Sequence, residues 1–112
     1  MSITDQQLLE LAAKAAMRAG LKLECPDELD GVYVSRCSGR NGYTWNPLED
    51  DGDALRLAVR LRISLLSAGN NTACDIPHTD EYVWEDAVDD SAARRAIVRA
   101  AAEIGKSMQE KH

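Results

Sequence analysis

The run Tyr43-Thr44-Trp45-Asn46-Pro47-Leu48-Glu49-Asp50-Asp51-Gly52-Asp53, continued by Ala54-Leu55-Arg56-Leu57-Ala58-Val59-Arg60-Leu61, constrains the fold more than any other segment. Its aromatic, strand-favouring part ends at Trp45. Asn-Pro then turns the chain, because the proline ring fixes φ at a value suited to a turn or a first helical position. Asp50, Asp51 or Asp53 stands where a new helix has unbonded N–H groups and a positive end. The segment therefore predicts strand, turn and helix in direct succession, with the helix over about Asp51 to Arg62. Ala54, Leu57, Ala58 and Leu61, with Leu55 and Val59, form its apolar side, leaving Arg56 and Arg60 to solvent.

The remaining elements follow from period and punctuation. Thr4 or Asp5 caps a first helix running to about Arg18, with Leu8, Leu11, Ala12, Ala15 and Ala19 on one stripe and Gly20 as its stop. The residues from Leu21 to Asp30 read as a connector. Val32 to Arg36 and Tyr43 to Trp45 read as a hairpin across Ser38-Gly39-Arg40-Asn41-Gly42. Ile63 to Ser67, Thr72 to Ile76 and Glu81 to Glu85 are strand candidates, the first two joined by a reversal at Gly69-Asn70-Asn71. A last helix starts near Asp90 or Ser91, with Ala93, Ile97, Ala100, Ala101, Ile104 and Met108 on one face and Asp90 spaced to pair with Arg94. Leu57, Leu61, Ile97 and Ile104 are the expected core anchors.

A chain of 112 residues suits one domain, here 1–112, large enough for a working core. That core must be aliphatic, since there is no Phe. The net charge of −6 opposes non-specific binding to duplex DNA, which depends on phosphate neutralisation. No apolar run is long enough for a membrane span, and the first residues lack the pattern of a secretory signal. Three cysteines without export signals suit a reducing compartment, so a cytoplasmic location is expected.

The stretch WNPLEDDGDALRLAVRL resembles the signature of the phage ABA sandwich domain family, small proteins of tailed phages and prophages. The run from Ala93 to Gly105 looks like that family's closing helix, and Gln7 to Ala15 is similar to its leading one. The resemblance spans nearly the whole chain, although 21–42 and 63–90 contribute no alignable pattern. It implies a phage context and helices on both faces of a sheet, and it brings no catalytic residues. With the element order α-β-β-α-β-β-β-α, the expected fold is α+β. Three helices would cover a mainly antiparallel sheet of four to five strands in an α/β/α sandwich.

Chemistry is sparse. The acids of Glu49-Asp50-Asp51-Gly52-Asp53 are contiguous, without the alternating ligands and late glutamate of a calcium loop, and helix capping explains them better. Of the potential zinc ligands Cys25, Cys37, Cys74 and His78, the last two have a tolerable pair spacing, but Cys25 and Cys37 lie too far apart for the second close pair of a structural zinc site, and no recognised catalytic spacing occurs. No metal or cofactor is expected. Tyr33, Tyr43, Trp45, Tyr82 and Trp84 all fall in expected strands, where helices covering their rings are the favoured arrangement and a binding platform the alternative.

Between Arg62 and Arg94 there is no Lys or Arg but seven carboxylates, at Asp75, Asp80, Glu81, Glu85, Asp86, Asp89 and Asp90. The resemblance, with the absence of catalytic spacing, implies a non-enzymatic phage or prophage accessory protein that binds a host or phage macromolecule. Asp75, Asp80, Glu81, Tyr82, Trp84, Glu85 and Asp86 form the candidate contact surface. The competing reading is a small-ligand protein or minor enzyme with a pocket of Cys74, His78 and Trp84.

Overall fold

The computed structural model describes residues 4–23 and 45–110. In chain order these form α1 (Asp5–Arg18), α2 (Asp51–Leu61), β1 (Leu65–Ala68), β2 (Asn71–Asp75), β3 (Tyr82–Glu85) and α3 (Asp90–Glu110). The expected hairpin over 32–36 and 43–45 lies outside the described residues except for Trp45.

Local chemistry sets the helix ends. Thr4 Oγ1 accepts the Gln7 N–H at 3.1 Å, and Gln7 Oε1 accepts the Thr4 N–H at 2.9 Å, a reciprocal capping box. At the other end of α1, Gly20 takes φ +94, while the N–H groups of Gly20 and Leu21 bond Met17 O and Ala16 O. That is a Schellman closure, with glycine at its left-handed position. The Asn46–Asp53 turn is organised by its own acids. Asp50 Oδ2 caps α2 through the Asp53 N–H at 2.7 Å, and Asp53 Oδ2 accepts the Asn46 N–H at 2.9 Å. Asp89 caps α3 through the Ala92 N–H at 2.7 Å.

The strands form one antiparallel sheet in the order β1-β2-β3, with Leu65, Cys74 and Val83 in register across it. A two-residue loop joins β1 to β2, with Gly69 at φ 60. Ile76-Pro77-His78-Thr79 turns β2 into β3, closed by the Thr79 N–H to Ile76 O. Among the described residues the sheet has three strands, which corrects the expectation of four to five. Trp45, read as the end of a strand in that sheet, belongs to no strand and is buried in the hydrophobic core.

The layering is corrected as well. Among the described residues α3 alone packs on the strands, while α1 and α2 pack on α3 and on each other. The order is α1 and α2, then α3, then the sheet, and no described helix lies on the far face of the sheet. The cause is the surface of α3, which is buried on more than one side. Ala92, Ala96, Ile97, Val98, Ala100, Ala101 and Ala102 are all buried, a wider arc than the single stripe expected. Its alanines meet an equally small-residue face on α1, where Ala12, Ala13, Ala15 and Ala16 are buried.

Helices α1 and α3 approach closely at Gly105. A Cβ on this residue would lie 2.1 Å from the Leu11 carbonyl oxygen and 2.8 Å from its carbonyl carbon. Backbone therefore meets backbone there, and only glycine fits. Of the four expected anchors, Leu57 and Ile97 are buried, whereas Leu61 and Ile104 are half-buried. Leu55 and Val59, assigned to the apolar side of α2, are instead 63% and 69% exposed. Arg94 does not take Asp90 as its partner in an ion pair. It bonds Leu48 O at 3.0 Å and Asp51 Oδ1 at 2.5 Å, tying the start of α3 to the start of α2.

Two substitutions test this packing. In an exposed helix, alanine in place of glycine stabilises by about 1 kcal/mol. Here Gly105→Ala should instead destabilise by about 1–3 kcal/mol, because the new methyl group must push two backbones apart. Leu57→Ala should cost about 2–5 kcal/mol through lost burial and a residual cavity. Denaturant unfolding measures both, and a Gly105→Ala protein as stable as the parent or more so would contradict the close helix approach.

Candidate functional site

Strand alternation divides the sheet into two chemically different faces. One face carries Thr72, Cys74, Val83 and Glu85 toward α3. Thr72, Cys74 and Val83 are buried, and Glu85 Oε2 meets Arg99 Nη1 of α3 at 2.5 Å. The other face carries Leu66, Ala73 and Trp84 in one cross-strand row and Asp75 and Tyr82 in the next. Leu66 is 49% exposed, Tyr82 47% and Trp84 53%, yet Ala73 between Leu66 and Trp84 is only 2% exposed. The large side chains thus cover the alanine and stand outward themselves.

The rings of Tyr82 and Trp84 lie 6.2 Å apart between centroids and are inclined by 43°, a tilted aromatic pair. The strand beneath them is well fixed. Arg99 Nη1 donates to Trp84 O at 2.7 Å, and Thr72 Oγ1 donates to Ala87 O at 2.7 Å just beyond β3. The surface is therefore a rigid apolar row on ordered backbone rather than a loop. Burying these rings beneath helices, the arrangement favoured from sequence, does not occur for Tyr82 and Trp84. It does occur for Trp45, which is 2% exposed and whose Nε1 has no hydrogen-bond partner among the described residues. Tyr33 and Tyr43 lie outside the described residues.

The candidate contact residues divide into groups. Asp75, Tyr82 and Trp84 share the open face. Asp75 is partly engaged, since its Oδ1 accepts the Ser64 N–H at 2.6 Å. Asp80 and Glu81 lie in the connection before β3, and Asp86 just after β3, all exposed. Glu85 leaves the set, because it points to α3 and is held by Arg99. Asp89 is likewise committed to capping α3. The acidic character of the surface is thus narrower than the run of seven carboxylates suggests. Leu66 was missed: only the registers of β1 on β2 and of β2 on β3 place it in one row with Trp84, and no spacing within the sequence reports that.

The alternative pocket is not assembled. Cys74 is fully buried toward α3, Trp84 stands on the opposite face, and His78 is exposed in the β2–β3 turn. Burial, and secondarily the charge of Asp75, pushes the Cys74 thiol up to about 12, which leaves it protonated and a poor nucleophile. Cys25 and Cys37 lie outside the described residues. Among the described residues no group of three or more His, Cys, Asp or Glu side chains converges as a metal site. Nor is any described helix long and apolar enough to cross a membrane.

No protein-family model matches this chain, and no curated protein or solved structure shows significant similarity to it.

The buried thiol makes a pH-dependent contribution of defined sign. Unfolded, Cys74 ionises near 9.0, whereas in the fold it holds its proton up to about 12. Its contribution to stability is full below the first value and is lost as pH rises toward the second. Relative to Cys74→Ala, the native protein should lose about 1.4 kcal/mol more stability for each pH unit above the unfolded value. Denaturant unfolding of both proteins at about pH 8 and pH 10 measures this. Parallel behaviour of the two would place the thiol in contact with water.

Proposed function

We propose that this chain is a non-enzymatic binding protein whose contact surface is the open face of the sheet, centred on Trp84. The observation that carries this reading is the exposure of Leu66, Tyr82 and Trp84 on one face of ordered strands. Exposed apolar side chains occurring singly need no explanation, but adjacent ones forming a patch mark contact surfaces. Aromatic anchors on a rigid support lose little side-chain entropy on binding and tend to dominate binding energy.

A protein partner fits this face better than nucleic acid does. The chain is acidic overall, and Asp75 lies in the same row as Tyr82, so phosphates would be repelled. The nearby Asp80, Glu81 and Asp86 suit a partner with a basic rim, which would raise the association rate and make it salt-sensitive. In the phage or prophage setting implied by the resemblance, that partner is a host or phage protein inside the bacterial cytoplasm.

Capture of partners from a bacterial lysate, followed by affinity measurement on the captured protein, tests this. Trp84→Ala should weaken the complex by about 2 kcal/mol or more, as truncated aromatic anchors do, while leaving the protein folded. Reversing Asp80 and Glu81 to Lys should flatten the salt dependence without unfolding the protein. Glu85 is excluded from that set, since its reversal would break the Arg99 pair. Unchanged affinity in Trp84→Ala would show that the open face is not the contact surface.

A further inference from the structure

We propose that a second site lies beside the β2–β3 turn, a cleft that binds a phosphate-bearing organic anion of nucleotide size. The cleft has a volume of about 770 Å³ and lies between the ends of α1 and α2, the β2–β3 turn and the last turns of α3. That volume falls within the range of small-molecule sites, about 300–1,000 Å³. Its floor is apolar, with Leu61, Ile76, Ile104 and Met108, and its rim carries Arg18, Arg60, Arg62 and His78.

The arginines carry the argument. Among the described residues, Arg56, Arg94, Arg95 and Arg99 each form an ion pair, with Asp53, Asp51, Asp5 and Glu85. Arg18, Arg60 and Arg62 form none, and all three line this one cleft in a chain of net charge −6. Glu81 and Glu103 line it too, yet neither pairs with them. Arg18 and Arg60 occupy the last turns of their helices, where the helix dipole favours a cation, but no hydrogen bond ties either guanidinium to a helix carbonyl. The three planar forks are left free to accept an external oxyanion.

Backbone geometry concentrates at the same place. Arg62 closes α2 at φ 60, with its own N–H to Val59 O and that of Ile63 to Ala58 O, the closure that Gly20 provides for α1. His78 takes φ 70 in the β2–β3 turn. These are the two non-glycine residues with positive φ among those described, and both are on the rim of the cleft. Such conformations are costly for residues with a Cβ and collect at binding sites. Glycine would close either turn without strain but would remove a cationic or polar side chain from the cleft. The carboxylates of Glu81 and Glu103 disfavour an extended polyanion and suit a ligand that also carries hydroxyl or amino donors.

Calorimetric titration of the full chain with ADP, adenosine and inorganic phosphate tests the assignment. ADP should bind saturably, with adenosine and phosphate each at least tenfold weaker, since one lacks the anion and the other the body. Arg60→Gln with Arg62→Gln should weaken ADP binding at least tenfold, and Arg18→Gln should weaken it independently from the α1 side. Arg95→Gln, outside the cleft, should leave binding unchanged. No saturable ADP binding at millimolar concentration would overturn the proposal. So would adenosine or phosphate binding as tightly as ADP, unchanged affinity in the cleft variants, or equal weakening by Arg95→Gln. None of these outcomes bears on the open face of the sheet, since Leu66, Tyr82 and Trp84 do not line the cleft and none of the cleft variants alters Glu81, which borders both.

Discussion

The close approach of α1 to α3 at Gly105 is the contact on which the rest of the molecule depends. A core without Phe must reach interior packing density with small residues, and alanine surfaces do so only when helix axes come close. Glycine at position 105 lets the Leu11 backbone rest on α3. With α1 on one side, α3 has its other side free for the sheet, where Cys74 and Val83 are buried. Arg94 then fixes the start of α2 against the start of α3, and Arg99 fixes β3 to its middle. One helix thus organises every described element.

A functional consequence follows from that arrangement. Because α1 and α2 are both spent on α3, no described helix remains for the far face of the sheet. A three-stranded meander with one covered face leaves its alternate side chains to water, and here these are Leu66, Tyr82 and Trp84. Three of the acids in the same region are structural. Asp89 caps a helix, Glu85 answers Arg99, and Asp75 holds the Ser64 N–H. What remains for a partner is an apolar row with a thin acidic margin, a geometry of recognition rather than of proton transfer or nucleophilic attack.

Much of the secondary structure was legible in the residues, because caps and turn glycines are local signals. Thr4, Asp50, Gly20 and Gly69 stand where their chemistry requires, and β1 to β3 lie within a residue or two of their expected places. The readings that failed depend on what packs where. Alternation groups Tyr82 with Trp84 but does not say which face of the sheet meets a helix. Helical spacing put Leu55 and Val59 with the apolar set of α2, yet no described element covers them. The wide burial of α3 was hidden because its alanines look equally suited to a solvated or an enclosed side. Arg94 and Asp90 have the right separation for a helix pair, but Asp51, 43 residues away in sequence, takes the guanidinium. The cationic cleft was hidden for the same reason, its arginines coming from separate helix ends.

Hydroxyl-radical footprinting of the intact protein, read residue by residue by mass spectrometry, tests the one-sided covering of the sheet most directly. The reaction rate of each side chain follows its contact with water, so adjacent strand residues report on opposite faces. Leu66, Tyr82 and Trp84 should be modified readily, while Cys74, Val83 and Trp45 react only after unfolding, although cysteine and tryptophan are intrinsically among the more reactive residues. Comparable protection of Trp84 and Trp45 would contradict the account, because it would require both faces of the sheet to be covered.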